Sequence, residues 1–144
     1  MHMSMVVPPN GAGLKAEGPS EADLQEQVSA GKAAASDIFG PGLAEKELRA
    51  VDASVAMQRG GNFRTLAGGI NNLDIHSINI DASGSTAVVT GTVEVWSRTS
   101  LKNPDGAWHQ AVPHNSIDFT MTLTNQNHWI VETFDWSFAP GSEP

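Results

Sequence analysis

The stretch His128-Trp129-Ile130-Val131-Glu132-Thr133-Phe134-Asp135-Trp136-Ser137-Phe138 alternates with a period of two, the signature of a strand with one buried face. One face reads Ile130, Glu132, Phe134, Trp136 and Phe138; the other reads Trp129, Val131, Thr133, Asp135 and Ser137. Glu132 interrupts the apolar face. A carboxylate enters such a face only where something pairs with it or a site uses it. Two readings stay open. Either Glu132 looks into a pocket as a general acid or base, or a bulge or the wet rim of the sheet turns it toward water.

Working back along the chain, the same grammar recurs. Ile117, Phe119, Met121 and Leu123 alternate with Asp118, Thr120, Thr122 and Thr124, and Asn125-Gln126-Asn127 turns that strand into the last one. Val89, Val93 and Val95 are read inward, with Thr90, Thr92, Glu94 and Trp96 outward. Asn103-Pro104-Asp105-Gly106 and Ala82-Ser83-Gly84-Ser85 are turn sequences. Leu73 and Ile75 alternate in one phase and Ile78 and Ile80 in the other, which predicts a bulge near His76-Ser77. Residues 60–72, with Gly60, Gly61, Gly68 and Gly69, read as irregular, so the sheet looks short of strands.

The N-terminal half has a helical period instead. Ser20 with Asp23 three residues on is an imperfect capping box, and Leu24, Val28, Ala35 and Ile38 or Phe39 follow at helical spacing, predicting a helix over 21–38. Gly40-Pro41-Gly42 ends it. A second helix is predicted from about Leu43 to Gln58, with Leu48, Val51 and Val55 on one face, a solvent-side Glu45–Arg49 pair and Gly60-Gly61 as the stop. Residues 1–19 are rich in Pro, Gly and small side chains and are read as a flexible lead-in, 20–138 as a single domain, and 139–144 as a short tail. Seven of the nine aromatic residues lie between Trp96 and Phe138, so the sheet supplies the large core side chains. Helices first and strands after define an α+β fold, with N-terminal helices on one face of an antiparallel sheet.

Composition narrows the function. The formal net charge is −8, and no Lys or Arg follows Lys102, so nucleic acid, phosphate and anionic membranes are poor partners. There is no cysteine, hence no disulfide, thiolate metal site or cysteine nucleophile. No stretch approaches the ~20 apolar residues of a membrane span. The start has neither a basic n-region nor a long apolar h-region, so no export signal is read in it.

The stretches Ser85-Thr86-Ala87-Val88-Val89-Thr90-Gly91-Thr92-Val93, Ile117-Asp118-Phe119-Thr120-Met121-Thr122-Leu123 and His128-Trp129-Ile130-Val131-Glu132 resemble the nuclear-transport-factor-two-like superfamily over roughly residues 21–138. The resemblance implies that helices close a strongly bent sheet into a cystatin-like cone with a pocket inside. It is closest to bacterial secreted or membrane-attached members, which implies an extracytoplasmic location; a cytoplasmic one is the alternative. Relatives include isomerases, dehydratases and cyclases beside many non-catalytic members, so fold alone does not choose. The chain has no tyrosine, and so lacks the tyrosine oxyanion or water-holding group of the enzymatic members.

Glu132 and His76 are the candidate catalytic residues. His76, at the phase switch, has a reason to be half-buried and to face Glu132. Phe119, Met121, Ile130, Phe134 and Trp136 are the candidate pocket lining. His114, Ser116 and Asp118 do not make a triad, because alternate strand positions lie almost 7 Å apart. His76, His109, His114 and His128 lack metal-ligand spacing, and no cofactor is expected. The leading expectation is a non-catalytic binding or interaction domain for a small apolar molecule or a protein. The alternatives are a small isomerase, dehydratase or cyclase with Glu132 or His76 as base, and a homodimer through the threonine-rich sheet face.

Overall fold

The computed structural model describes residues 20–143, so the expected lead-in over 1–19 lies outside the described residues. Helix α1 spans Glu21–Ile38. Its start is a full capping box: the Asp23 N–H donates to the Ser20 hydroxyl at 3.2 Å and the Ser20 N–H to the Asp23 carboxylate at 3.0 Å, satisfying two otherwise orphaned donors. Helix α2 spans Pro41–Arg59 and begins two residues earlier than its apolar period implies. Gly40 is its N-cap, and Pro41 opens the first turn, where a missing N–H costs nothing and a fixed φ suits the helix. The helices run antiparallel, tied by Lys32–Asp52 at 3.0 Å and by Arg59 Nε donating to Glu21 at 3.2 Å. Glu45 and Arg49 form the expected pair at 3.0 Å.

Five strands follow: β1 Phe63–Ile80, β2 Thr86–Lys102, β3 Trp108–Ala111, β4 His114–Asn125 and β5 Trp129–Phe138. They form one antiparallel sheet in the order β1-β2-β4-β5, with β3 also paired to β2. The fold is α+β, and the sheet is not closed. Two sequence readings need correction. Residues 60–72 are not irregular: β1 starts at Phe63, and Gly68 and Gly69 pair with Ser97 and Trp96, the Trp96 indole lying against Gly69. Strand β3 was unexpected, since Trp108-His109-Gln110-Ala111 has no alternation to announce it.

The turns match their sequences. Asn103 donates to the Ala107 carbonyl at 2.8 Å and Gly106 to that of Asn103 at 2.9 Å; Asn127, after β4, takes a positive φ of 74°. In the β1–β2 turn, Asp81 accepts the Ser83 hydroxyl at 2.7 Å and the N–H groups of Ser85 and Thr86 at 2.9 and 3.1 Å. Those bonds favour the charged carboxylate, the Ser83 hydroxyl most, and draw its pKa down to about 2. Residues after β5 stay close: the Ala139 N–H donates to the Ser116 carbonyl at 2.9 Å, and the Ser116 N–H to the Ser142 hydroxyl at 2.6 Å.

The core has two parts. Val51 and Val55 of α2 pack with Val28 of α1. On the sheet, Val89, Val93 and Phe119 pack with Val95, Ile117, Met121, Leu123, Phe134 and Trp136. Helix α2 joins sheet to helices at both of its ends. At its start the Gly40 N–H donates to the Val131 carbonyl at 2.9 Å. At its end the buried Gln58 side-chain carbonyl accepts the Thr65 N–H at 3.2 Å.

Candidate functional site

Strand β5 does not keep the alternation of its sequence. Val131 pairs with Leu123 and Thr133 with Thr122, so Glu132 is the extra residue of a bulge. The bulge shifts the phase: Val131, not Ile130, is the buried apolar residue beside Leu123, while Phe134 and Trp136 resume the inward face opposite Met121 and Phe119. Ile130 is therefore separated from the other four expected lining residues and lies across from Thr124. Phe119, Met121, Phe134 and Trp136 do come together, with Phe119 and Phe134 stacked at 5.6 Å between ring centroids.

Half-buried Glu132 has a partner that is neither a cation nor a histidine. Its Oε1 accepts the Thr124 hydroxyl at 2.7 Å. The other oxygen lies against Gly40, where a Cβ would overlap the carboxylate. Helix α2 has no acidic residue in its first turn and no side-chain cap. Glu132 thus sets a carboxylate beside the N-cap of that helix from a strand about 90 residues away in sequence.

His76 is elsewhere. It is the extra residue of the β1 bulge between Ile75 and Ser77, where the phase switch placed a bulge, but it is exposed rather than half-buried. Its Nε2 lies 3.3 Å from the Thr92 hydroxyl and 3.7 Å from Asp74. Thr92 in turn donates to half-buried Asp118 at 2.7 Å. Two strands, β2 and β4, separate His76 from Glu132, a gap of about 14 Å at the spacing of neighbouring strands. No dyad forms. The Asp74, His76, Thr92 and Asp118 file belongs to the threonine-rich face, which also carries the Ser77–Thr90 and Thr122–Thr133 hydroxyl pairs at 2.7 and 2.6 Å.

What sequence reasoning missed is on β1. Ile70, Leu73, Ile75, Ile78 and Ile80 pair with Val95, Val93, Gly91, Val89 and Ala87 in turn. Of the three bulges in β1, the two at Ile70/Asn72 and Ile75/Ser77 absorb the odd residues of this run, so all five aliphatic side chains share the face of Val89 and Val93. Val89, Val93 and Ala87 are buried, yet all five β1 residues are exposed. The signal was present as the spacing 3, 2, 3, 2: in a strand each step of three marks a bulge that keeps the next apolar residue on the same face. Val131 to Phe134 is the same step in β5.

Two surface hollows lie away from these residues. One of about 190 Å³ lies between Asn71, Glu94, His114 and Ser142, and an open one of about 500 Å³ beside the turn Asn103–Gly106. Among the described residues, no three His, Asp or Glu side chains gather as metal ligands, and no helix is long and apolar enough to cross a membrane.

No protein-family model and no curated protein matches the chain. Among solved structures, it is similar to the crystal structure of the intermembrane space region of the chloroplast protein ARC6. The TM-score is 0.55 at 10% identity, over 83% of this chain and 98% of that one. At that identity the similarity is one of fold: α+β, two helices against an antiparallel sheet.

Proposed function

We propose that this chain is a non-catalytic interaction domain, working through the apolar face that β1 leaves uncovered. The carrying observation is the exposed row Ile70, Leu73, Ile75, Ile78 and Ile80, continuous with buried Val89 and Val93. Monomeric proteins rarely leave so large an apolar patch open without using it. Glu132 supports the same reading, because its bulge, its Thr124 partner and its seat on Gly40 give it a structural role. The cone-shaped nuclear-transport-factor-two-like fold with an apolar pocket is part of this proposal, and so is an extracytoplasmic setting. For the setting, the support is the ARC6 neighbour, whose matched region is named for an intermembrane space.

A neutral apolar dye tests the reading. Nile red should bind the wild-type chain saturably with a blue-shifted emission, and an Ile70→Ser, Leu73→Ser, Ile78→Ser triple variant should lose most of that signal while keeping its circular dichroism. Equal binding by both proteins, or none by the wild type, would overturn it.

A further inference from the structure

We infer that the occupant of the β1 row is the same row of a second copy, the two chains related by a two-fold axis at Ile75. This rests on the reading of the row as the interaction surface and names its partner.

The register carries it. Although the five residues are unevenly spaced in sequence, their β2 partners are Val95, Val93, Gly91, Val89 and Ala87, every second residue without exception. In space the row is therefore even, about 26 Å long at ~3.3 Å per residue, and symmetric about Ile75, its third member. Two such rows laid antiparallel match throughout: Ile75 meets Ile75 on the axis, Leu73 meets Ile78 of the other copy, and Ile70 meets Ile80. A closed two-fold contact requires exactly this self-complementarity.

Size and charge agree. The five residues are 64, 54, 40, 61 and 56% exposed in chain order, which amounts to on the order of 500 Å² of aliphatic surface, near the top of the range for the largest patch of a monomer. A standard interface buries about 800 Å² per partner, so the row forms the apolar centre of a contact that extends beyond it, while Asn72 and Asn79, paired with Glu94 and Val88, stand on the other face. With a net charge of −8, copies of this chain repel one another over most of their surface. The row is where that repulsion is missing. The two ionisable residues of the stretch, Asp74 and His76, stand with Thr92 on the opposite face.

Cysteine cross-linking decides the matter, because the chain has no cysteine of its own. Ile75→Cys places its two thiols across the axis, separated by about the 10 Å between packed sheet faces and so within reach of a short bis-maleimide but not of a direct disulfide; Ile80→Cys places its two thiols at opposite ends of the doubled row. With bis-maleimidoethane, Ile75→Cys should become a covalent dimer at least tenfold faster than Ile80→Cys. Sedimentation velocity from micromolar to submillimolar concentration should show the wild type dimerising and Ile75→Asp remaining monomeric with unchanged circular dichroism. A wild type monomeric throughout, or equal cross-linking by both cysteine variants, overturns the inference. If that monomer still binds Nile red through the row, the second copy is excluded while the interaction surface stands; if the triple variant changes neither property, both fall.

Discussion

Strands β5 and β1 are the two ends of the sheet order, and both break regular pairing with bulges, yet their outcomes are opposite. In β5 one bulge turns Val131 into the core and sets the Glu132 carboxylate on the start of α2. In β1 two bulges hold five aliphatic side chains on one face, and all five are exposed. The same device keeps apolar residues in phase at both ends. What differs is the cover: the α1–α2 connection reaches β5 through Phe39 and Gly40, while α2 meets β1 only near its first residues, at Thr65. Bulges set direction, and burial depends on what else arrives.

The largest expected effect lies between the two ends. Phe119→Ala removes the ring that joins β2 to β5 in the sheet core and should cost about 3–5 kcal/mol, read from urea unfolding. Leu73→Ser and Ile78→Ser in β1 should each stay within about 0.5 kcal/mol in monomer-favouring conditions; a loss near that of Phe119→Ala would erase the distinction between covered and uncovered rows.

Next comes the covered bulge. Gly40→Ala puts a methyl where the Glu132 carboxylate lies; because that carboxylate is the far end of a flexible side chain and can swing aside, the change should cost about 1 kcal/mol, the loss of a favourable N-cap residue included. The same change in an Glu132→Ala background should cost less, with a coupling of about 0.5 kcal/mol or more in a double-mutant cycle. Additive effects would mean that the carboxylate is not seated there.

The smallest effect belongs to the turn that leaves β1. Asp81 has a folded pKa of about 2 against an ordinary 3.8. A carboxylate with a depressed pKa stabilises the fold fully above its unfolded value and loses that contribution as pH falls through the folded one, here between about pH 4 and pH 2. Carbon-13 NMR of the carboxyl should follow that low midpoint. Ser83→Ala, which removes the largest cause, should move it upward and lower stability slightly at neutral pH, where the contribution is fully present, with the difference vanishing below about pH 2.

Much of the fold was legible in the chain. Ser20 and Asp23 marked the start of α1 because a cap is a local contract between residues three apart; Asn103–Gly106 marked its turn because proline fixes φ and glycine accepts the positive φ that Gly106 takes. The alternation of Ile117 to Leu123 placed β4 correctly because β4 carries no bulge toward β2. The site was harder to read, since strict alternation assumes an unbroken ladder. At Glu132 it assigned Ile130 to the inward face where Val131 belongs. It stopped β1 at Leu73, although Ile70 and Leu73 are one bulge apart. Pairing across strands, which no single stretch contains, decides both.

The hydrogen bond from the Gly40 N–H to Val131, with His128 Nε2 3.0 Å from the Asp37 carbonyl, has a consequence for how the chain is made. Residues 37 and 128 are 91 positions apart, so a ribosome adding about 5–20 residues per second takes roughly 5–20 s to deliver the second after the first. Once residue 59 is added the helical hairpin is whole, and β1 follows directly, but β5, which carries the partners of Phe39 and Gly40, comes last of the strands. Release of the C-terminal strand from the exit tunnel, rather than helix formation, would then time the final docking step of biosynthesis.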